Sequence, residues 1–225
     1  MSHLLVIDNA MDHTFYRPVE HWAAAAGFRP SSVYAAGGEP LPEPGAASHV
    51  ILTGSESSIV ESEPWAEAEA EWLRIAVARG VRVLGSCWGH QLIARALGGP
   101  HCVRRAATPE FGWLEIPISD PSEILPDPSM RAFVSHFDEV VEGSHPQLRV
   151  LARGSVCAVH AMRWGELPVW GIQAHPEIDP ETGLSFLNEA RRKWPSQRRL
   201  LDAALAAGPN DSRSAAGIVA RFLAA

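Results

Sequence analysis

The stretch Val83-Leu84-Gly85-Ser86-Cys87-Trp88-Gly89-His90-Gln91-Leu92 decides how the rest of the chain is read. An apolar run ends there, glycines stand two residues before and two after a cysteine, and a helix-forming segment from Trp88 to Leu97 follows at once. This is the pattern of a strand–turn–helix elbow that presents a nucleophile: its backbone is strained, and its flanking residues must be small so that strand and helix can approach. A cysteine thrust up at a helix N-terminus meets free N–H groups and the positive end of the helix dipole, which favour thiolate over thiol. The plain alternative is a buried structural cysteine. The paired glycines favour the elbow, although an elbow alone leaves many hydrolase classes open.

Outward from the elbow, the first hundred residues alternate between strand and helix. His3 to Ile7 is a short apolar run, as expected of a buried parallel strand. Arg17 to Ala26 reads as a helix with Pro18 in its first turn, Val19, Trp22, Ala23 and Ala26 on one face, and Gly27 as its stop. Ser32 to Tyr34 and His49 to Thr53 are further strands. Ser62 and Pro64 open a helix whose apolar stripe is Trp65, Ala68, Trp72, Ile75 and Ala76, closed by Gly80, and Val81 to Leu84 leads into the elbow. This alternation predicts an α/β fold: an open, mainly parallel, doubly wound sheet with helices on both faces and the active site at the strands' carboxyl ends.

After Pro100 the character changes. Trp113–Ile118, Arg131–Val134, Arg149–Ala152, Val156–Met162 and Leu167–Ala174 are β-prone runs with little helix between them, and predict a small antiparallel excursion attached to the main sheet. Helix returns from Glu181 to Trp194 and again beyond Ser196. Asp211 to Leu223 reads as a last surface helix with an Asp cap. The whole, residues 1–225, is expected to be one domain with a helical tail from about 196.

Composition narrows the function classes. Of 225 residues 46% are apolar and 20% charged, an ordinary balance for a folded globular chain. Lys+Arg 19 against Asp+Glu 26 gives −7, which argues against nucleic acid or an anionic membrane as partner. The cationic run Arg191-Arg192-Lys193 with Arg198-Arg199 accordingly reads as a solvated helix face. No apolar stretch approaches a membrane span, and the N-terminus does not read as a signal peptide. Three cysteines, Cys87, Cys102 and Cys157, suit a reducing compartment, so a cytoplasmic location is expected. Cys102 and Cys157 lack an elbow and read as structural.

Downstream stands Trp170-Gly171-Ile172-Gln173-Ala174-His175-Pro176-Glu177. Residues two apart in extended chain share a side, so Glu177 can reach the ring of His175. Thiol, imidazole and orienting carboxylate are the parts of a Cys–His–Glu triad. Other readings stay open at this level. His175 can be a strand-end histidine satisfied by backbone, or a metal ligand with Glu177 and the pair His136-x-Asp138, although no pair shows helical metal spacing and Cys87-x-x-His90 has no matching second pair.

Several ordered motifs now resemble a known family, the class I (triad-type) glutamine amidotransferases, and especially domains similar to the glutaminase half of GMP synthase. They are Ile51 to Ser58, Gly85 to Gln91, Glu110-Phe111-Gly112-Trp113, Ser135-His136-Phe137-Asp138-Glu139-Val140, and Gly171 to Glu177, within a resemblance running from about Asp8 to Glu189. The resemblance implies a flavodoxin-like sheet. It implies Cys87 as nucleophile, His175 as general base and acid, and Glu177 as orienting carboxylate. Gly54 and Trp88 match positions whose backbone N–H groups form an oxyanion hole, Gln91 matches a substrate contact, and Ser135, His136, Phe137 and Asp138 match the stretch receiving the glutamine α-groups, with Asp138 for the ammonium. No cofactor and no metal are implied. Two features depart from the pattern. Thr53-Gly54-Ser55 stands where Gly-Gly-Pro is usual, and no synthetase domain follows Glu177 before Ala225, so an ammonia-accepting synthetase is expected on another chain. The implied activity is hydrolysis of the glutamine side-chain amide through a γ-glutamyl thioester. The competing functions are a stand-alone γ-glutamyl peptide or amine hydrolase, a catalytically silent binding domain, and a thiol sensor oxidised at Cys87.

Overall fold

The computed structural model describes residues 3–61, 63–211 and 213–225. The elements run β1 (Leu4–Asp8), α1 (Pro18–Ala26), β2 (Ser31–Tyr34), β3 (His49–Leu52), α2 (Pro64–Ala78), β4 (Arg82–Ser86), α3 (Trp88–Gly98), β5 (Val103–Pro117), β6 (Ser129–Val140), β7 (Leu148–Ala152), β8 (Ala161–Trp164), β9 (Val169–Ile172), α4 (Pro180–Lys193), α5 (Arg198–Ala207) and α6 (Ala215–Ala224). The main sheet has the order β2-β1-β3-β4-β9-β8-β7. Its first five strands are mutually parallel, and β8 and β7 continue it antiparallel. The parallel part has the flavodoxin-like order, in which a crevice opens beyond the strands' carboxyl ends.

Period-two alternation sorts the strand side chains onto two faces. Leu5, Ile7, Val50, Leu52 and Val83 pack with Leu73, Ala76, Leu92 and Ile93 of α2 and α3. Leu4, Val6, Ile51 and Leu84 pack on the opposite face with Trp22 of α1 and Ile218, Val219 and Phe222 of α6. Because both faces are covered, the central strands are apolar throughout rather than alternating with polar residues.

The structure differs from the sequence expectation in several places: the run expected over Val156–Met162 is strand only from Ala161, and the one expected from Trp113 already begins at Val103. The apolar face of α2 is Ala66, Ala70, Leu73, Ala76 and Val77 with Trp72; Ala68 and Ile75 face solvent. The helix buries the i, i+4, i+7 row beside the expected one, together with the carboxyl of Glu69, and Ser62 lies outside the described residues. The antiparallel excursion divides: β7 and β8 extend the main sheet, whereas β5 and β6 pair as a separate two-stranded ribbon. A register shift between Arg105 and Glu110 interrupts that ribbon. The last helix starts at Ala215, not at Asp211, whose carboxylate instead accepts the Arg213 N–H at 2.9 Å in the preceding turn. It is a core element, since Ile218, Val219 and Phe222 are fully buried. Among the described residues no helix is long and apolar enough to cross a membrane.

Candidate active site

Cys87 is the single residue between β4 and α3, and its backbone sits at φ 49° and ψ −104°. A positive φ is costly for a side-chain-bearing residue and is held here by the surrounding structure. The Cys87 N–H donates to Ile172 O at 2.8 Å, and the Gly89 N–H donates to Thr53 O at 3.1 Å. The two flanking glycines are sterically required. A Cβ on Gly85 would lie 2.5 Å from the backbone of Gly89, and one on Gly89 would lie 2.3 Å from Leu52 O. The elbow read from the sequence is therefore present as a close approach of strand and helix.

β9 delivers the histidine. Its end is tied to the ribbon by the His175 N–H, which donates to Phe133 O at 2.7 Å. His175 Nδ1 lies 2.9 Å from Glu177 Oε1. A carboxylate only accepts, so Nδ1 carries the proton and Nε2 remains for proton transfer. Glu177 is anchored further by the Tyr16 hydroxyl, which donates to Oε1 at 2.6 Å, and by the Ser86 hydroxyl at 3.3 Å. Burial alone would push His175 down, but the charges of Cys87 and Glu177 raise it to about 10. Burial pushes Glu177 the other way, upward, and is outweighed by the His175 charge and the hydrogen bonds from His175 and Tyr16, so its carboxyl is lowered. Tyr16 is raised well above the ordinary phenol range by burial and then by the Glu177 charge. Together these shifts favour an imidazolium at His175 held against an ionised Glu177.

Of the residues singled out from sequence, Gly54, Cys87, Gln91, Ser135, His136, Phe137, Asp138 and His175 border one pocket. Glu177 sits behind His175 with its side chain fully covered. The Trp88 indole is buried and stacked on Trp65, ring centroids 4.9 Å apart, so only its backbone is available to the site. Gln91 Nε2 donates to Asp138 O at 2.7 Å and to Gln173 Oε1 at 3.1 Å, which orients the Gln173 amide toward Cys87 Sγ at 3.7 Å. His136 is committed inside the protein, to Asp138 O at 3.0 Å and to Glu110 Oε2 at 3.2 Å. Asp138 is likewise occupied: Oδ2 accepts from the Ser58 hydroxyl at 2.6 Å and the Ile59 N–H at 3.1 Å, while Oδ1 lies 3.1 Å from Arg105.

Sequence reasoning did not single out Tyr16, Glu56, Arg105, Gln173 or Trp194. Gln173 was within reach of it, because it stands two before His175 and shares its side of an extended chain. Tyr16 offers no local signal, being 161 residues from its partner Glu177. Glu56, which borders the pocket, is raised by burial, against the hydrogen bond that its carboxylate accepts from the Met11 N–H. Trp194 closes the pocket from the end of α4, with the Phe137 ring 4.7 Å away.

The fold is thus a doubly wound α/β sheet with a strained cysteine at one strand end and a histidine–carboxylate pair just beyond the next. Residues 45–190 match the model of the class-I glutamine amidotransferase family, and the chain belongs to that family. It is 34% identical over 182 residues to a glutamine-hydrolysing GMP synthase subunit of Methanothermobacter thermautotrophicus, covering 79% of this chain and 90% of that one. With the corresponding GMP synthase subunit of Pyrococcus abyssi it shares 45% identity over 101 residues, 44% of this chain and 52% of that protein. The chain thus spans about half the length of several of the curated relatives that it matches. Among solved structures, a glutamine amidotransferase from Thermotoga maritima superposes with a TM-score of 0.74 at 18% identity, over 99% of this chain and 96% of that one. One from Methylobacillus flagellatus gives 0.72 at 20%, over 99% and 94%. At these identities the structural likeness concerns the fold.

Proposed function

We propose that the chain hydrolyses the side-chain amide of glutamine, with Cys87, His175 and Glu177 as its triad. The observation that carries this reading is the strained Cys87 sharing one pocket with His175, whose ring is held by Glu177. Cys87 Sγ attacks the amide carbon, and the backbone N–H groups of Gly54 and Trp88 receive the oxyanion. His175 passes its proton to the departing nitrogen, the C–N bond breaks, and ammonia leaves a γ-glutamyl thioester. Water then attacks the thioester while His175 takes its proton, the C–S bond breaks, and glutamate is released. Gln91 and the segment Ser135 to Asp138 line the substrate site, His136 through its backbone because both its ring nitrogens are engaged inside the protein. Asp138 takes the ammonium group by exchanging it for Arg105, the more exposed of its present partners.

The ammonia passes to a synthetase on a separate chain, a reading supported by the likeness to the glutamine-hydrolysing GMP synthase subunits. The second reading, a self-sufficient γ-glutamyl peptide or amine hydrolase, is favoured by the aromatic wall of Phe137, Phe186 and Trp194, which offers apolar surface beyond what an ammonia leaving group needs. Glutamate and ammonia release from glutamine, measured beside a panel of γ-glutamyl peptides and amines with Cys87→Ala as blank, tests both. Slow turnover of glutamine alone, lost in the variant, supports the amidotransferase reading. Faster turnover of a panel member supports the hydrolase. Turnover that survives Cys87→Ala overturns the triad.

A further inference from the structure

Behind the pocket wall made by Ser135 to Asp138 lies a second group of buried side chains with metal-ligating chemistry. Glu110 and His136 face each other directly in the β5–β6 pairing. Cys157 and His160, spaced Cys-x-x-His, come from the loop between β7 and β8. The Cys157 sulfur, a Glu110 carboxylate oxygen and a His136 ring nitrogen all lie within 4.8 Å of one another. His160 Nε2 is 3.2 Å from Glu110 Oε2, the same oxygen that lies 3.2 Å from His136 Nε2. The loop is shaped to place His160 there: a Cβ on Gly154 would stand 2.5 Å from His160 Nε2, and the Gly154 N–H closes the turn on Cys157 O at 2.9 Å. His160 is fully buried: its Nε2 meets the Glu110 carboxylate, and among the described residues its Nδ1 has no hydrogen-bond partner.

His136 Nδ1 is held by Asp138 O at 3.0 Å, which turns its Nε2 toward the Glu110 carboxylate and the Cys157 sulfur. A divalent cation with one carboxylate, one thiolate and a neutral imidazole sums to zero, so the three groups can take it without burying net charge.

We propose that Glu110, His136 and Cys157 form a site for a divalent transition-metal cation of the zinc class, with a fourth position left on the side of His160. A nitrogen, a sulfur and a carboxylate oxygen are all zinc ligands, and all three are buried here. The His136 Nδ1–H on a backbone carbonyl is the outer-shell support that metal-bound histidines use. Burial pushes the Cys157 thiol up to about 12, so the metal-free cysteine keeps its proton. Binding replaces the S–H bond with a metal–sulfur bond and releases that proton to solvent. The bound cation would pin the Ser135–Asp138 wall of the pocket to the loop between β7 and β8.

The test uses the full chain, loaded with zinc or cobalt(II) and dialysed into metal-free buffer. About one metal per chain is expected, with the strong visible bands of four-coordinate cobalt, a near-ultraviolet thiolate-to-cobalt band, and proton release on zinc addition. Cys157→Ser should lose the thiolate band, and Glu110→Gln should lose metal, while Cys102→Ser, altered at a buried cysteine outside the cluster, keeps both. Circular dichroism separates lost ligands from a lost fold, and proton release by the unaltered chain stands without any variant. A wild-type chain that retains no metal, or a thiolate band unchanged in Cys157→Ser, overturns the proposal. None of these readouts depends on amide hydrolysis.

Discussion

Gly54→Ala would place a methyl carbon 2.5 Å from His175 Cε1 and 3.4 Å from its Nε2. Ordinary contact begins at 3.4 Å, so the ring or the loop must give way by about 0.9 Å. The ring has little freedom to do so, because its backbone is tied to Phe133 and Nδ1 to Glu177, which Tyr16 and Ser86 hold in turn. Gly54 does not occupy the left-handed region, so alanine meets no backbone strain there. A displacement of about 1 Å in a reacting group costs on the order of 100-fold in rate, or about 2.7 kcal/mol of transition-state stabilisation. The substitution keeps the backbone N–H at 54, so the loss measures the position of the imidazole and not a deleted oxyanion donor. The assay is glutamate release with kcat and KM determined separately, beside a thermal melt. Turnover within about threefold of wild type, with an unchanged melt, would refute the argument that the bare Cα at 54 makes room for His175.

Three further outcomes are expected. Tyr16→Phe removes a 2.6 Å hydrogen bond to a buried carboxylate, an interaction worth roughly 1.5–3 kcal/mol. It should lower kcat with little change in KM, and should move the acid limb of the pH–rate profile upward, because Glu177 loses one of the contacts that hold its carboxyl low. His175 is raised from 6.5 to about 10, so its contribution to stability is complete below about 6.5 and lost as pH rises through about 10. Urea melts across that window should show the decline, and Glu177→Gln should flatten it. Phe222→Ala, in a fully buried position of α6, should cost about 3–5 kcal/mol in a urea melt. A loss below about 0.5 kcal/mol would mean that α6 is the surface helix the sequence suggested.

The contacts that join the site's elements also explain its arrangement. β4 and β9 are adjacent and parallel, so Cys87 at the end of one lies beside His175 just beyond the end of the other. The β5–β6 ribbon bonds to His175 through Phe133 and supplies the wall from Ser135 to Asp138, so one element holds the histidine and shapes the pocket. The end of α4 contributes as well: Trp194 packs on Phe137 and Phe111.

By itself the sequence determined whatever depends on spacing along the chain. Gly85 and Gly89 at fixed offsets from Cys87 specify the elbow, because the close approach of β4 and α3 is a local event. His175 and Glu177 two apart specify the orienting pair, and apolar runs alternating with helical stripes specify the doubly wound sheet. Tertiary structure alone decided contacts between residues far apart in sequence. Tyr16 reaches Glu177 across 161 residues, Ser58 and Arg105 converge on Asp138, Cys157 meets Glu110 and His136, and His160 meets Glu110. Composition marked Asp211 to Leu223 as a surface helix, but the face of the sheet beside Trp22 and Trp170 gave the apolar side of α6 a place to bury. Spacing fixes which side chains share a face, whereas the closing of the sheet fixes which face meets which.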